Sequence, residues 1–140
     1  MTWEDELMRL IHTADWQIGK VFKQFGDKEE SLRQATLTAI KSIGRLAVQE
    51  SADHVLVAGD VFDNEVPTEV TLRAPLERIK LFPQVKWHFL PGNHDPHRPQ
   101  GLWERLTRLG CRPMFTSILR LDLTPCCCRH PSPARAKRTI

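Results

Sequence analysis

Three short apolar runs of this sequence each end in a cluster of acidic or amide residues, and this recurrence constrains the fold more than any other feature. The runs cover residues 7–13, 54–58 and 85–90. The middle run is β-branched and apolar on both faces, as in a buried parallel strand. Segments with helical spacing separate the runs. The alternation predicts the α/β class, with a mostly parallel sheet layered with helices on both of its faces.

The helical segments differ in how clearly the sequence marks them. Residues 28–50 carry apolar side chains at helical spacing and predict a long amphipathic helix. Residues 68–80 predict a weaker helix, because Pro75 must kink it or divide it into two turns. A short helix is predicted over 102–109, where Gly110 ends it, and a fourth strand over 117–123.

Length and composition favour one globular domain. The chain has 140 residues, of which 41% are hydrophobic and 26% charged. No run approaches the roughly 20 apolar residues of a membrane helix, and the first ten residues lack a secretory pattern, so we expect a cytoplasmic protein without membrane contact. The formal charge is +3, but four bases fall in the last fifteen residues. Charge alone therefore does not indicate nucleic acid.

The polar clusters contain residues that bind hard cations. They comprise Asp15 and Gln17 after the first run, Asp60 and Asp63 after the second, and Asn93, His94 and Asp95 after the third. Each cluster alone has a structural explanation, since Asp and Asn favour turns and helix caps. Ligands of parallel sheets bind where strands end, so the clusters should meet at one edge. Gathered carboxylates repel one another unless a cation lies between them. The pattern predicts a hydrolytic site for manganese, iron or zinc.

The last residues contribute a different signal. Segment 125–140 has no acid, no periodicity and no apolar face, and we expect it to be disordered. With assumed codons, a one-base shift gives a strand-like continuation, so the segment is interpreted as a possible frameshift product. Cys126, Cys128 and His130 could touch a metal, although a reduced and solvated tail is the simpler interpretation.

The three clusters carry a family resemblance. Residues 12–19 (HTADWQIG), 57–63 (VAGDVFD) and 90–95 (LPGNHD) resemble the first three motifs of the calcineurin-like metallophosphoesterases. The surrounding residues are most similar to the SbcD-type DNA repair exonucleases. The resemblance implies that residues 7–124 form the N-terminal part of a metallophosphoesterase domain, whose fold is incomplete at the C-terminus.

The resemblance also implies roles for individual residues. Two divalent metal ions, Mn²⁺ first and Fe or Zn as alternatives, would be held by a set that comprises Asp15, Gln17, Asp60 and Asn93. Asp60 would bridge the two ions. His94 would stabilise the transition state or protonate the leaving oxygen, and Asp95 would orient its imidazole. Asp63 would support the loop. The implied reaction is in-line attack on a phosphodiester by a metal-activated hydroxide.

Two departures from the family pattern bear on this activity. Gln17 stands where most of the superfamily has histidine, so it either ligates weakly through its amide oxygen or only bonds its own loop. The family's later metal-binding histidines do not appear in this chain. A catalytically inactive, truncated remnant that binds at most one metal is therefore the alternative to an active enzyme.

The substrate and partners follow from resemblance alone. A DNA substrate would meet an aromatic and basic loop that contains Trp16, Lys20, Lys23 and Phe25, although Phe22 and Phe25 could instead cover the sheet. SbcD-type nucleases act with an ATPase of the SbcC type, so the resemblance alone makes such a partner possible. An interaction module that uses the basic tail is a third interpretation.

Overall fold

The computed structural model describes residues 8–110, in which three strands and three α-helices alternate. The strands are β1 (Leu10–Thr13), β2 (His54–Ala58) and β3 (Lys86–Leu90), and the helices are α1 (Glu29–Gln49), α2 (Glu69–Ile79) and α3 (Leu102–Arg108). A short 3₁₀ helix, Lys23–Lys28, precedes α1. The predicted fourth strand, the tail and all four cysteines lie outside the described residues.

The strands form the predicted parallel sheet in the order β1-β2-β3. Leu10 pairs with His54 and His54 with Lys86, which sets the register of all three strands. Since all three strands run the same way, their carboxyl ends lie at one edge. We call this the carboxyl edge; segments 14–19, 59–63 and 91–95 follow the strands there. The α/β prediction is confirmed.

Within residues 8–110, helices pack on one face of this sheet, not on both as predicted. The strands contribute Val55, Val57, Trp87 and Phe89 to the main core. All three helices pack against these side chains, through Ile40 and Ala47 of α1, Leu72, Leu76 and Ile79 of α2, and Leu102, Trp103 and Leu106 of α3. The physical reason is the strand order. Right-handed crossovers that advance in one direction along a sheet place their helices on the same side.

A small residue in α1 and a capping residue in α2 mark the two long helices. In α1, Gly44 faces the Phe82 ring, whose nearest atom lies 2.3 Å from where a Cβ would stand. Helix α2 begins at Thr68, whose Oγ1 accepts the N–H of Thr71, and it runs through the buried Pro75 without dividing. Of the two effects expected of Pro75, a kink or a division, the division does not occur. Within residues 8–110, no helix is long and apolar enough to cross a membrane.

Candidate metal centre

Backbone hydrogen bonds join the first two polar clusters at the carboxyl edge. Asp15 N–H donates to the Gly59 carbonyl at 3.1 Å, and Gln17 N–H donates to the Asp60 carbonyl at 2.9 Å. Asp63 N–H in turn donates to the Ile18 carbonyl at 3.0 Å. The segments after β1 and β2 therefore continue side by side beyond the strands, and they bring the first two polar clusters to neighbouring positions.

Three of the predicted metal ligands have strained backbones. Asp15, Gln17 and Asp60 have φ values of 54°, 47° and 51°, in the left-handed region that non-glycine residues seldom occupy. Such a conformation costs about 1 to 3 kcal/mol per residue and is concentrated at functional sites. Ser51 and Gln100 share this conformation away from the edge, so three of the five non-glycine residues with positive φ in residues 8–110 are predicted ligands.

The third cluster is fastened to the second by Asp95. Its Oδ1 accepts N–H groups from Gly92 at 2.6 Å and Asp60 at 3.1 Å, and its Oδ2 accepts those of Val61 at 2.8 Å and Phe62 at 3.1 Å. We call these four amides the Asp95 cradle. Burial raises the pKa of the Asp95 carboxyl above its ordinary value, while the four N–H donors act in the opposite direction.

These contacts differ from the expected role of Asp95. The carboxylate is fully buried in the cradle and makes no bond to the His94 imidazole. Instead, His94 Nδ1 lies 3.2 Å from the carbonyl oxygen of Asp63. A carbonyl only accepts, so Nδ1 carries the proton and Nε2 is left for other contacts. The orienting group is a backbone atom of Asp63, which sequence letters cannot reveal.

Gly92 is needed for the close approach of the two loops. A Cβ at this position would stand 2.3 Å from both the amide nitrogen and Oδ1 of Asp60. The same Oδ1 accepts the His94 N–H at 2.8 Å. The position of the Asp60 carboxylate is therefore set from two sides by the loop that follows β3.

Gln17 makes a hydrogen bond within its own loop, one of the two interpretations left open by the sequence. Its Oε1, the atom that would bind a metal, accepts the Lys20 ammonium at 2.5 Å. Trp16, by contrast, is wrong as a nucleic-acid contact. It is buried in the core against Trp87 and Phe89, with ring centroids 6.1 and 5.8 Å away. Phe25 is 49% exposed and does not cover the sheet.

The remaining donors fit a hard divalent cation. The carboxylates of Asp15 and Asp60 and the exposed amide of Asn93 supply oxygen atoms, the ligands that Mg²⁺ and Mn²⁺ favour. Within the described part of the chain, Asp15 makes no side-chain hydrogen bond. No group of three His, Cys, Asp or Glu that could hold a metal occurs in residues 8–110. The oxygen donors named here are two carboxylates and one amide, the types that hard divalent cations accept.

Comparison with known proteins agrees with this geometry. The family model described as calcineurin-like phosphoesterase matches residues 8–128. The chain belongs to this family. It is also similar to the SbcD component of the nuclease SbcCD from Rhodobacter capsulatus, with 36% identity over 93 residues. That match takes in 64% of this chain but 22% of the relative, so the chain spans about a fifth of that relative's length. The three motif segments all fall inside the family match.

Proposed function

We propose that this chain carries part of the active site of a metal-dependent phosphodiesterase that acts on DNA. The observation that carries the proposal is the carboxyl edge itself. Two strained aspartates, Asp15 and Asp60, lie on neighbouring loops, and the His94 backbone is bonded to one of their carboxylates. Membership of the phosphoesterase family and the similarity to a nuclease component support the same chemistry.

In this proposal, the three oxygen donors bind two cations. Asp15 and Asp60 would hold one divalent cation, and Asp60 with Asn93 would hold a second. Manganese is our expected ion, because it accepts oxygen ligands and also tolerates nearby imidazole. When bound, the metal would polarise the phosphoryl group and make water a stronger nucleophile.

His94 is the proposed acid of the reaction. Its Nδ1 is occupied by the Asp63 carbonyl, which fixes the ring and leaves Nε2 available to the substrate. A protonated ring would donate from Nε2 to the leaving oxygen while Nδ1 keeps its bond. General acid catalysis of this kind contributes about 10² to 10⁴ in rate.

The proposal includes a partner protein. The similar Rhodobacter protein is named as one component of the nuclease SbcCD. By resemblance we propose an SbcC-type ATPase as the partner. A DNA substrate in a bacterial cell would place the complex in the cytoplasm.

The test measures hydrolysis and metal binding together. The full chain is assayed with Mn²⁺ on end-labelled DNA and on bis(p-nitrophenyl) phosphate, and Mn²⁺ binding is followed by isothermal titration calorimetry. His94→Gln should lower kcat by at least about 100-fold and leave Mn²⁺ affinity unchanged. Asp60→Asn should lower both.

The control is Glu65→Gln, since Glu65 is exposed and, among the described residues, paired only with Arg98. It should change neither hydrolysis nor metal affinity. Mn²⁺ binding without any hydrolysis would favour the inactive alternative and overturn the proposed activity for this chain. Hydrolysis that survives Asp60→Asn would overturn the proposed site.

A further inference from the structure

A cleft opens beside the carboxyl edge, between the N-terminal halves of α1 and α2. We call it the α1–α2 cleft, and its volume is about 400 Å³. Ligand sites commonly fall between roughly 300 and 1,000 Å³. Residues of segment 17–22 line the cleft, and the Gln17 N–H donates to the Asp60 carbonyl at 2.9 Å, which places the cleft beside the carboxyl edge.

Lys20 lines the cleft next to Gln17. Its backbone N–H donates to the Gln17 carbonyl at 3.1 Å, and its ammonium donates to Gln17 Oε1 at 2.5 Å. These two bonds hold the lysine in one place. An ammonium has three N–H donors, so two are left for an anion that enters the cleft.

The walls of the cleft combine apolar and hydroxyl groups. Ile18, Leu37 and Ala74 contribute apolar surface, while Thr36 and Thr71 contribute hydroxyls. The loop lies close against α2, because a Cβ on Gly19 would stand 3.0 Å from the Thr71 methyl group. An amphipathic ring system fits such walls better than a purely charged or purely apolar ligand.

The charged residues that line the cleft are Lys20, Arg33 and Glu30, so its basic side chains outnumber its acidic one. Glu29 forms an ion pair with Arg33 at 2.5 Å, and Glu30 accepts the Gln34 amide at 2.8 Å. Among residues 8–110, Lys20 is bonded only to the neutral Gln17 and keeps its full charge. The charge of Lys20 therefore lies on the Gln17 side of the cleft.

From this juxtaposition we propose that the α1–α2 cleft is a nucleotide subsite, in which Lys20 binds a phosphate and the walls hold the attached nucleoside. This inference rests on the proposed function, since it assigns the cleft to a nucleotide next to the one that is cleaved. Lys20 is then a specificity-determining residue that distinguishes a nucleotide chain from a small phosphoester.

The test uses the full chain and thymidine 5′-monophosphate as the probe, with binding measured by isothermal titration calorimetry in the presence of Mn²⁺. Lys20→Met should weaken the affinity about tenfold, the loss expected for one charge-assisted hydrogen bond. Ala74→Phe should fill the cleft and weaken the nucleotide about tenfold, while inorganic phosphate should bind as it does to the wild-type chain.

Matched controls separate these effects from general changes. Lys80→Met removes an exposed charge beyond the far end of α2, and Ala35→Phe adds a ring to an exposed position of α1 outside the cleft. Both should leave nucleotide affinity unchanged. If Ala74→Phe does not fold, as judged by circular dichroism, Lys20→Met decides alone.

Failure of this inference is distinguishable from failure of the proposed function. If Mn²⁺-dependent hydrolysis is present and Lys20→Met leaves nucleotide affinity unchanged, the subsite is wrong and the phosphodiesterase stands. The absence of nucleotide binding also overturns the subsite. Loss of affinity in both cleft variants without any hydrolysis supports the subsite and overturns the activity.

Discussion

Asp95 and His88 are equally deep in the molecule but differ in how their polar atoms are satisfied. Asp95 is 0% exposed and His88 is 3% exposed. The four amides of the cradle bind both carboxylate oxygens of Asp95. His88 has one bond, in which its Nε2 lies 2.8 Å from Nδ1 of His54, and its buried Nδ1 finds no partner within residues 8–110.

This difference decides which charge each region tolerates. A carboxylate that receives four N–H groups is stabilised in its charged form even when it is buried. A proton on Nδ1 of His88 would be a buried donor without an acceptor, so the neutral ring is expected to donate from Nε2 to His54. Burial, His54 and Lys86 all lower the pKa of His88. The cradle supplies N–H donors to both oxygens of the Asp95 carboxylate, whereas among the described residues His88 keeps one buried ring nitrogen without a partner.

The largest loss of stability should follow from removing the Asp95 carboxylate from the cradle. Asp95→Ala leaves the amides of Val61 and Phe62 buried without acceptors and releases the link between the second and third clusters. At about 1 to 3 kcal/mol for each unsatisfied buried group, the two amides give a loss of about 2 to 6 kcal/mol, a large part of a typical domain's stability. Urea unfolding of the variant measures it.

Glu65→Ala is the control for this experiment, because it removes an exposed carboxylate that forms an ion pair with Arg98. It should change stability by less than about 0.5 kcal/mol. Equal losses for the two variants would show that the cradle contributes no more than a surface charge.

A smaller effect should follow when Asp95 is kept and its surroundings are displaced. Gly92→Ala places a Cβ 2.3 Å from Asp60, so the loops must separate. Overpacking of this kind costs about 1 to 3 kcal/mol, and Mn²⁺ affinity should fall with it because Asp60 moves. Asn93→Ala, in the same loop but exposed, should leave urea stability nearly unchanged. Similar stability losses in both variants would contradict the close approach.

The main elements of the fold follow from local sequence, and their packing does not. The β-branched run His54–Ala58 becomes β2 with the same bounds, and α1 ends within one residue of its prediction, because periodicity and composition act locally. The side on which helices pack depends on strand order, which no single segment records. For residues 8–110, the prediction that helices cover both faces of the sheet was wrong for that reason.

At the candidate site, the sequence predicted which clusters come together but not which atoms they use. Asp95 is bonded to amides of residues more than thirty positions away, and a backbone oxygen of Asp63 holds His94. Almost every residue type carries these backbone groups, so residue type does not indicate which of them contact Asp95 or His94. The Lys20 bond to Gln17 is local, but it depends on a left-handed turn at Gln17 that residue type alone does not impose.

The smallest expected effect concerns pH and the histidine pair. With the folded-state pKa of His88 below the ordinary 6.5, the unfolded chain takes up a proton first as the pH falls. The stability contributed by neutral His88 is therefore present above pH 6.5 and is lost as the pH falls toward the folded-state pKa. The slope cannot exceed about 1.4 kcal/mol per pH unit, the limit for one proton.

His88→Phe should remove this slope, because a ring of similar size then occupies the site without a titratable atom. Urea unfolding between about pH 7 and pH 5.5 measures the difference from the wild-type chain. His12→Gln is the matched control, since His12 lies on β1 with an exposed side chain and should keep the wild-type slope. An unchanged slope in His88→Phe would mean that His88 is protonated without cost. The contrast with Asp95 would then rest on burial alone, and not on how many partners each buried group has.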